Sequence, residues 1–211
     1  MSSNRRQVHF IRHAQSMFNK AHCAYSHGQA VDIKSPTLVD AGLSEEGKQQ
    51  AINAKTKIKQ LDIDLAITSP YARAISTCHL AHGFHNVLVT PLCGERFESV
   101  CDIGTPKEKL MKRFSELDFG SIKDNIWWFN PGRFEDQESV IKWYRSPQVD
   151  VENDTILKIR AKEFYDFLLA RTEKNVAVFS HSHFLRKFLH WHFGRENSFI
   201  ANAEVISFSL P

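Results

Sequence analysis

Phe10-Ile11-Arg12-His13-Ala14-Gln15-Ser16-Met17-Phe18-Asn19 is the stretch around which the rest of the chain is organised. The apolar run Val8 to Ile11 stops abruptly at an arginine and a histidine, and small and polar residues follow. A buried strand that delivers its last side chains to the rim of a parallel sheet reads this way. Arginine beside histidine is a poor choice for packing and a good one for phosphate chemistry. Guanidinium offers forked, permanently charged donors to phosphate oxygens. A neutral imidazole is a nucleophile available at physiological pH, because its ordinary pKa is only about 6.5.

Outward from this corner the chain alternates strand and helix. Residues Ser16 to Tyr25 predict a short helix whose free N–H groups face an anion. The polar, turn-rich segment Ser26 to Gly42 predicts a loop near the site mouth. Ser44 is the expected N-cap of the next helix, with Glu45 and Glu46 at its positive end and a stripe of Ala51, Ala54, Ile58 and Leu61 running to about Gln60. Leu65 to Thr68 reads as a strand ended by Ser69-Pro70; Pro70 suits a first helical turn, and the helix is expected to run from Tyr71 to Ala81 with Arg73 near its start. Asn86 to Val89 is a third strand. Lys107 to Phe114 and Val140 to Tyr144 are short helices in the least regular part of the chain. Asn153 to Arg171 is a helix with Leu157, Ala161, Phe164 and Leu168 on one face and Asn175 marking its end. Val176 to Phe179 is a buried strand followed by Ser180-His181-Ser182-His183, a helix from about Phe184 to Phe193, and a last strand over Ala203 to Phe208. This alternation implies an α/β/α sandwich with a mostly parallel sheet. Three strand ends carry Arg12-His13, Arg73 and His181, and sites form beyond the carboxyl ends of such strands.

The 211 residues are 42% hydrophobic and 24% charged, an ordinary globular composition. Length and the absence of repeats or linkers favour one domain over 1–211, with residues about 97–150 as a cap or loop insertion carrying Trp127-Trp128-Phe129 beside Pro131, Gly132 and Arg133. That aromatic run reads either as a satellite hydrophobic cluster or as a lid that shapes a pocket. A net charge of +3 supports neither a nucleic-acid nor a membrane partner, and is compatible with an anionic small substrate. The four cysteines, Cys23, Cys78, Cys93 and Cys101, show no CxxC spacing, and Met1 to Arg6 lacks an apolar leader. The expectation is a soluble, cytoplasmic protein with free thiols. Among 11 histidines only His181 and His183 form a suggestive pair, and no HExxH or Cys/His quartet occurs, so no metal and no cofactor is expected. The oligomeric state is open.

These residues resemble the histidine phosphatase superfamily, with its phosphoglycerate mutase-like fold. Arg12-His13-Ala14-Gln15-Ser16 with Asn19 resembles the RHG/RHA-x-S-x-x-N signature. Leu43-Ser44-Glu45-Glu46-Gly47-Lys48-Gln49-Gln50-Ala51 is similar to L-[ST]-x-x-G-x-x-Q-A, and Ser69 to Thr77 to S-P-x-x-R-A-x-x-T. Val176 to His181 resembles the late strand ending in Ser-His. The likeness covers roughly residues 7–98 and 153–208; between them, Cys101-Asp102-Ile103-Gly104 and Trp127-Trp128 resemble little-characterised branches. No RxP follows the first motif and no His-Asp pair occurs at His181, unlike the acid phosphatases and phytases.

The resemblance implies that His13 is the nucleophile of a metal-independent phosphomonoesterase, forming a phosphohistidine that water hydrolyses. It implies that Arg12, Arg73 and His181 stabilise the transferring phosphoryl group, with Asn19 and the backbone near Ser182 as further donors. The family's general acid falls just after the third strand, at Glu95, with Glu98 as the alternative. Bound to Arg96 at the surface, Glu95 would have no such role. His183 stands where many relatives have a small residue, so it either adds a donor or faces solvent. The segment from Glu95 to Ser99 lacks the His-Tyr-Gly run of the mutases, which favours a phosphatase acting on a phosphorylated small molecule or phosphoprotein. The alternatives are a bisphosphate-dependent phosphoglycerate mutase and a non-catalytic phosphate-binding module.

Overall fold

The computed structural model describes residues 6–132, 134–147 and 149–210. Arg133 and most of the N-terminal segment considered above, residues 1–5, lie outside these. Strand β1 (Gln7–Arg12) leads through α1 (Met17–Ser26) and α2 (Glu45–Lys59) to β2 (Leu65–Thr68), and α3 (Ala72–Ala81) leads on to β3 (Val87–Val89). The irregular middle holds α4 (Lys107–Arg113) and α5 (Gln137–Tyr144). Then come α6 (Asp154–Leu169), β4 (Asn175–Ser180), α7 (Ser182–Phe193) and β5 (Val205–Ser209). Among the described residues the strands form one sheet in the order β3-β2-β4-β1-β5, with β5 antiparallel and the other pairs parallel.

Strand alternation explains the layers. Val8, Phe10, Leu65, Ile67, Val176 and Val178 point to one face, where α6 and α7 cover them with Leu157, Phe164, Phe184 and Phe188. Ile11, Ala66, Ala177 and Phe179 point the other way, onto Ile58 of α2 and Cys78 and Ala81 of α3. Both faces are apolar because both are covered, which is why the strands read as continuous apolar runs.

Several element limits differ from the sequence reading, for local reasons. Helix α3 starts at Ala72 with Tyr71 as its N-cap, so Pro70 precedes the first turn instead of standing in it, and the Ala72 N–H is capped from afar by Asp40 at 2.9 Å. Asn175 does not end α6. It opens β4, where its backbone N–H bonds Asp64 at 2.9 Å. Helix α7 begins at Ser182 rather than Phe184, so Ser182 and His183 occupy its first turn. The last strand starts at Val205 because Ala203 turns the chain with φ of 58°. The segment 27–42 lines no part of the cavity described below. Leu38 and Ala41 instead pack into a cluster with Phe97, Val100, Ile103, Trp128 and Tyr144 from the middle of the chain.

That middle part is fastened at its base. Phe97 and Glu152 bond each other's backbone N–H groups, through the Phe97 carbonyl at 3.1 Å and the Glu152 carboxylate at 3.3 Å. Glu152 in turn is paired with Arg160 of α6 at 2.8 Å.

Candidate active site

Register places the two central histidines side by side. Arg12 and Ser180 are partners across β1 and β4, so the residues that follow them, His13 and His181, leave the sheet edge at one level. Neighbouring strands lie about 4.8 Å apart, and the two rings are 5.1 Å apart at their centroids. Thr68 of β2 pairs with Phe179 on the other side of β4, which brings Ser69 to the same level. The Ser69 hydroxyl lies 2.8 Å from His181 Nε2.

The motifs beyond the first strand serve this corner. Ser44, the N-cap of α2, bonds the Gly47 N–H at 3.0 Å, while its own N–H reaches the Gln15 carbonyl at 3.0 Å. Gln50 accepts the Gln15 N–H at 2.9 Å. A Cβ on Gly47 would stand 1.9 Å from the Gln15 carbonyl oxygen, so only glycine lets α2 approach the loop after His13. On α3, Thr77 accepts the Ala14 N–H at 3.0 Å and donates to the Arg73 carbonyl at 2.7 Å. Asn202 donates to the His13 carbonyl at 2.9 Å.

His13 Nδ1 lies 2.7 Å from the carbonyl oxygen of Ala14. A carbonyl only accepts, so Nδ1 carries the proton and Nε2 keeps its lone pair. Burial first, then the charges of Arg73 and Arg12, hold the His13 pKa well below the usual imidazole value. The ring is therefore neutral and nucleophilic at physiological pH. His181 is fully buried and depressed by burial, Arg73 and His13 in turn; its Nδ1 has no partner.

Arg12 is anchored through Nη1 to the Ile200 carbonyl at 2.6 Å, and its buried Nε is unpartnered. Arg73 has a different setting. It is 2% exposed, bonded to Asp102 at 2.9 Å and to the Cys101 carbonyl at 2.7 Å, and set 4.4 Å from the Tyr71 ring centroid. Burial penalises its charge, but the groups around it, Asp102 among them, outweigh this and keep it protonated. Burial also pushes the Asp102 carboxyl up, to about 6, against the pull of Arg73 and the Ser99 and Glu98 N–H groups.

Arg12, His13, Asn19, Arg73, Glu95 and Ser182 share the lining of one cavity of about 240 Å³. Asn19 Oδ1 caps the Ser16 N–H at 3.1 Å, which leaves its Nδ2 as the donor for a ligand. His181, fully buried beside His13, is not among the residues that line the cavity. Glu95 does not pair with the Arg96 side chain; that guanidinium reaches Glu98 at 2.8 Å instead. The Glu95 carboxylate accepts the N–H groups of Phe184 at 2.8 Å, His183 at 3.3 Å and Arg96 at 2.9 Å, at the N-terminus of α7 where the helix dipole favours an anion. Glu98 bonds His183 Nδ1 at 2.6 Å. That bond lowers the Glu98 pKa and raises the His183 pKa. His183 also lines the cavity, with its side chain half exposed. Among the described residues no three His, Cys, Asp or Glu side chains form a group able to hold a metal ion, and no helix is long and apolar enough to cross a membrane.

Asp102, Ser69, Thr77 and Asn202 were not assigned roles from sequence. Ser69 and Thr77 stand inside a motif already noted, at fixed spacing from Arg73. Asp102 and Asn202 are brought in by tertiary contacts that leave no local periodicity.

The cavity gathers a buried neutral histidine, two arginines and a carboxylate at aligned strand ends, a set of side chains suited to holding an anionic group. Residues 8–97, a little under half of the chain, match the model of the histidine phosphatase superfamily (branch 1). The chain is 41% identical over 85 residues to the 2,3-bisphosphoglycerate-dependent phosphoglycerate mutase of Streptococcus mutans, a match covering 39% of this chain and 32% of that one. The chain thus aligns with only about a third of that mutase. It is 25% identical over 221 aligned positions to a phosphoglycerate mutase-like protein of Arabidopsis thaliana, covering 86% and 73% of the two chains. The fold is shared with a mycobacterial glucosyl-3-phosphoglycerate phosphatase, at a TM-score of 0.58 and 14% identity over 96% of this chain and 92% of that one. It is also shared with an Escherichia coli protein assigned as an alpha-ribazole-5'-P phosphatase, at a TM-score of 0.61 and 16% identity over 98% and 91%.

Proposed function

We propose that the chain is a metal-independent phosphomonoesterase working through a phosphohistidine on His13. The observation that carries this reading is the tautomer: the Ala14 carbonyl holds the proton on Nδ1, so Nε2 faces the reaction with its lone pair. In the first step Nε2 attacks phosphorus, the bond from phosphorus to the leaving oxygen breaks, and that oxygen takes a proton from the general acid. In the second step water attacks phosphorus, the P–N bond breaks, and inorganic phosphate leaves while the acid regains a proton. Arg12 and Arg73 offset the charge on the equatorial oxygens, and His181 Nδ1 and Asn19 Nδ2 are the neutral donors of the same cradle.

Glu95 is the proposed acid. It lines the cavity, whereas Glu98 is held ionised by His183 and Arg96. The preferred substrate is a phosphorylated small molecule, since the cavity is compact; a phosphoprotein is the alternative.

The test is p-nitrophenyl phosphate hydrolysis across pH 4–8 with and without EDTA, beside His13→Ala. Turnover that resists EDTA and vanishes in the variant supports the reading; equal rates in both proteins contradict it. The identity with the streptococcal enzyme favours a second reading, mutase activity, which predicts bisphosphate-dependent exchange between 2- and 3-phosphoglycerate with little phosphate release.

A further inference from the structure

A second cavity, of about 390 Å³, lies on the other side of Glu95. Its walls are Tyr71, Leu92, Trp127, Trp128, Phe129 and Ile156, and Glu95 lines both cavities. Tyr71 lines this second cavity and not the first. Its ring is 5.1 Å from that of His181 and 4.7 Å from that of Trp127.

The aromatic wall is built rather than incidental. Trp127 Nε1 donates to the Thr105 carbonyl at 2.8 Å. Both indoles press on Gly104, where a Cβ would stand 2.5 Å from Trp127 and 2.6 Å from Trp128. The charge balance of the cavity is also informative. Its two ionic side chains besides Glu95, Glu152 and Arg160, neutralise each other at 2.8 Å, and Arg160 spends further N–H groups on the Leu92 and Gly94 carbonyls. Among the described residues of this lining, no cation is left for a second phosphate or a carboxylate. Two polar atoms are left: the indole N–H of Trp128, a side chain 5% exposed, and the Asn130 Oδ1 are buried without partners. Unsatisfied buried polar atoms cost free energy unless something completes them.

The geometry points to this cavity as the leaving-group site for a neutral aromatic or heteroaromatic ring, so that the substrate class is a phosphomonoester of a ring-bearing alcohol. This inference rests on the phosphatase reading above. A volume near 390 Å³ suits a one- or two-ring group. Stacking and edge contacts with Trp127 and Phe129 hold the ring's faces. Glu95, at the junction, stands where the bridging oxygen needs its proton.

The experiment pairs hydrolysis with binding. Ile156 sits on α6, is 41% exposed and lines the cavity, so Ile156→Trp plugs the cavity at little risk to folding; Trp128→Phe is the second variant. The first arm measures kcat/KM for 1-naphthyl phosphate against glycerol 2-phosphate. Wild type is expected to favour the naphthyl ester at least tenfold, and that ratio is expected to fall at least fivefold in Ile156→Trp. The second arm measures binding of 2-naphthol, which carries no phosphate, by saturation-transfer NMR. Binding to wild type that is lost in Ile156→Trp supports the ring site, even when no ester is hydrolysed, in which case only the phosphatase reading fails. Hydrolysis with an unchanged ratio, a loss shared equally by both esters, or 2-naphthol bound alike by both proteins overturns the ring site and leaves the phosphatase reading standing.

Discussion

Removing the carboxylate that holds Arg73 is the sharpest structural perturbation the site offers. Asp102 and Arg73 are both nearly inaccessible to solvent. Asp102 Oδ1 bonds the guanidinium at 2.9 Å, and Oδ2 accepts the Ser99 and Glu98 N–H groups at 2.8 and 3.1 Å. In Asp102→Ala the arginine keeps the Cys101 carbonyl but loses its counter-charge, and two backbone donors lose their acceptor. Breaking a buried pair by deleting one partner costs about 3–5 kcal/mol. With roughly 2–4 °C of Tm lost per kcal/mol in a chain of this size, the expected fall is about 6–20 °C. The assay is thermal unfolding by circular dichroism, with Asp166→Ala as the control. Asp166 forms an exposed pair with Lys162, and such pairs contribute only about 0–1 kcal/mol. The double variant Arg73→Met with Asp102→Leu should recover much of the lost stability, because replacing a buried pair by apolar groups is often near neutral. A Tm for Asp102→Ala no lower than that of Asp166→Ala would refute the reasoning.

Other consequences are equally direct. Alanine usually stabilises a helix interior over glycine by about 1 kcal/mol, but Gly47→Ala should instead lower stability by about 1–3 kcal/mol through overpacking against Gln15, as read in a denaturant titration. Glu95→Gln should slow hydrolysis of an alkyl phosphate far more than that of p-nitrophenyl phosphate, whose leaving group needs little protonation; equal slowing of both would remove Glu95 as the acid. The His183–Glu98 pair makes stability pH-dependent. His183, with its pKa raised, contributes below its ordinary 6.5 and loses that contribution as pH rises through the higher folded value. Glu98, with its pKa lowered, contributes above its ordinary 4.5 and loses it as pH falls through the lower folded value. The Tm difference between wild type and His183→Ala should therefore be largest between pH 4.5 and 6.5 and shrink towards pH 9.

The sheet and the gathering of Arg12, His13 and Arg73 at one cavity were legible because local patterns encode them. Apolar runs ended by polar residues marked β1, β2 and β4, and the same strand ends carry Arg12, His13 and His181. Motif spacing placed Arg73 in the first turn of α3. What could not be read were contacts between distant segments. Asp102 reaches Arg73 only because residues 97–150 fold back over α3, and Asp40 caps that helix from a loop whose sequence says only that it turns. Ser44 reads as a helix N-cap and Gly47 only as a motif position; their task at Gln15 beside His13 depends on how closely α2 approaches the loop after β1. Glu95 was correctly placed after β3, but its position at the N-terminus of α7 follows from starting that helix at Ser182, two residues earlier than periodicity suggested.

The central claim is a covalent intermediate on one histidine. Wild-type enzyme quenched in alkali during turnover of p-nitrophenyl phosphate and analysed by intact-mass and peptide mass spectrometry tests it directly, because phosphohistidine survives base. The account predicts a phosphoryl adduct on the peptide carrying His13, absent from His13→Ala, which is inactive. Turnover without that adduct, or an adduct on another residue, would contradict it.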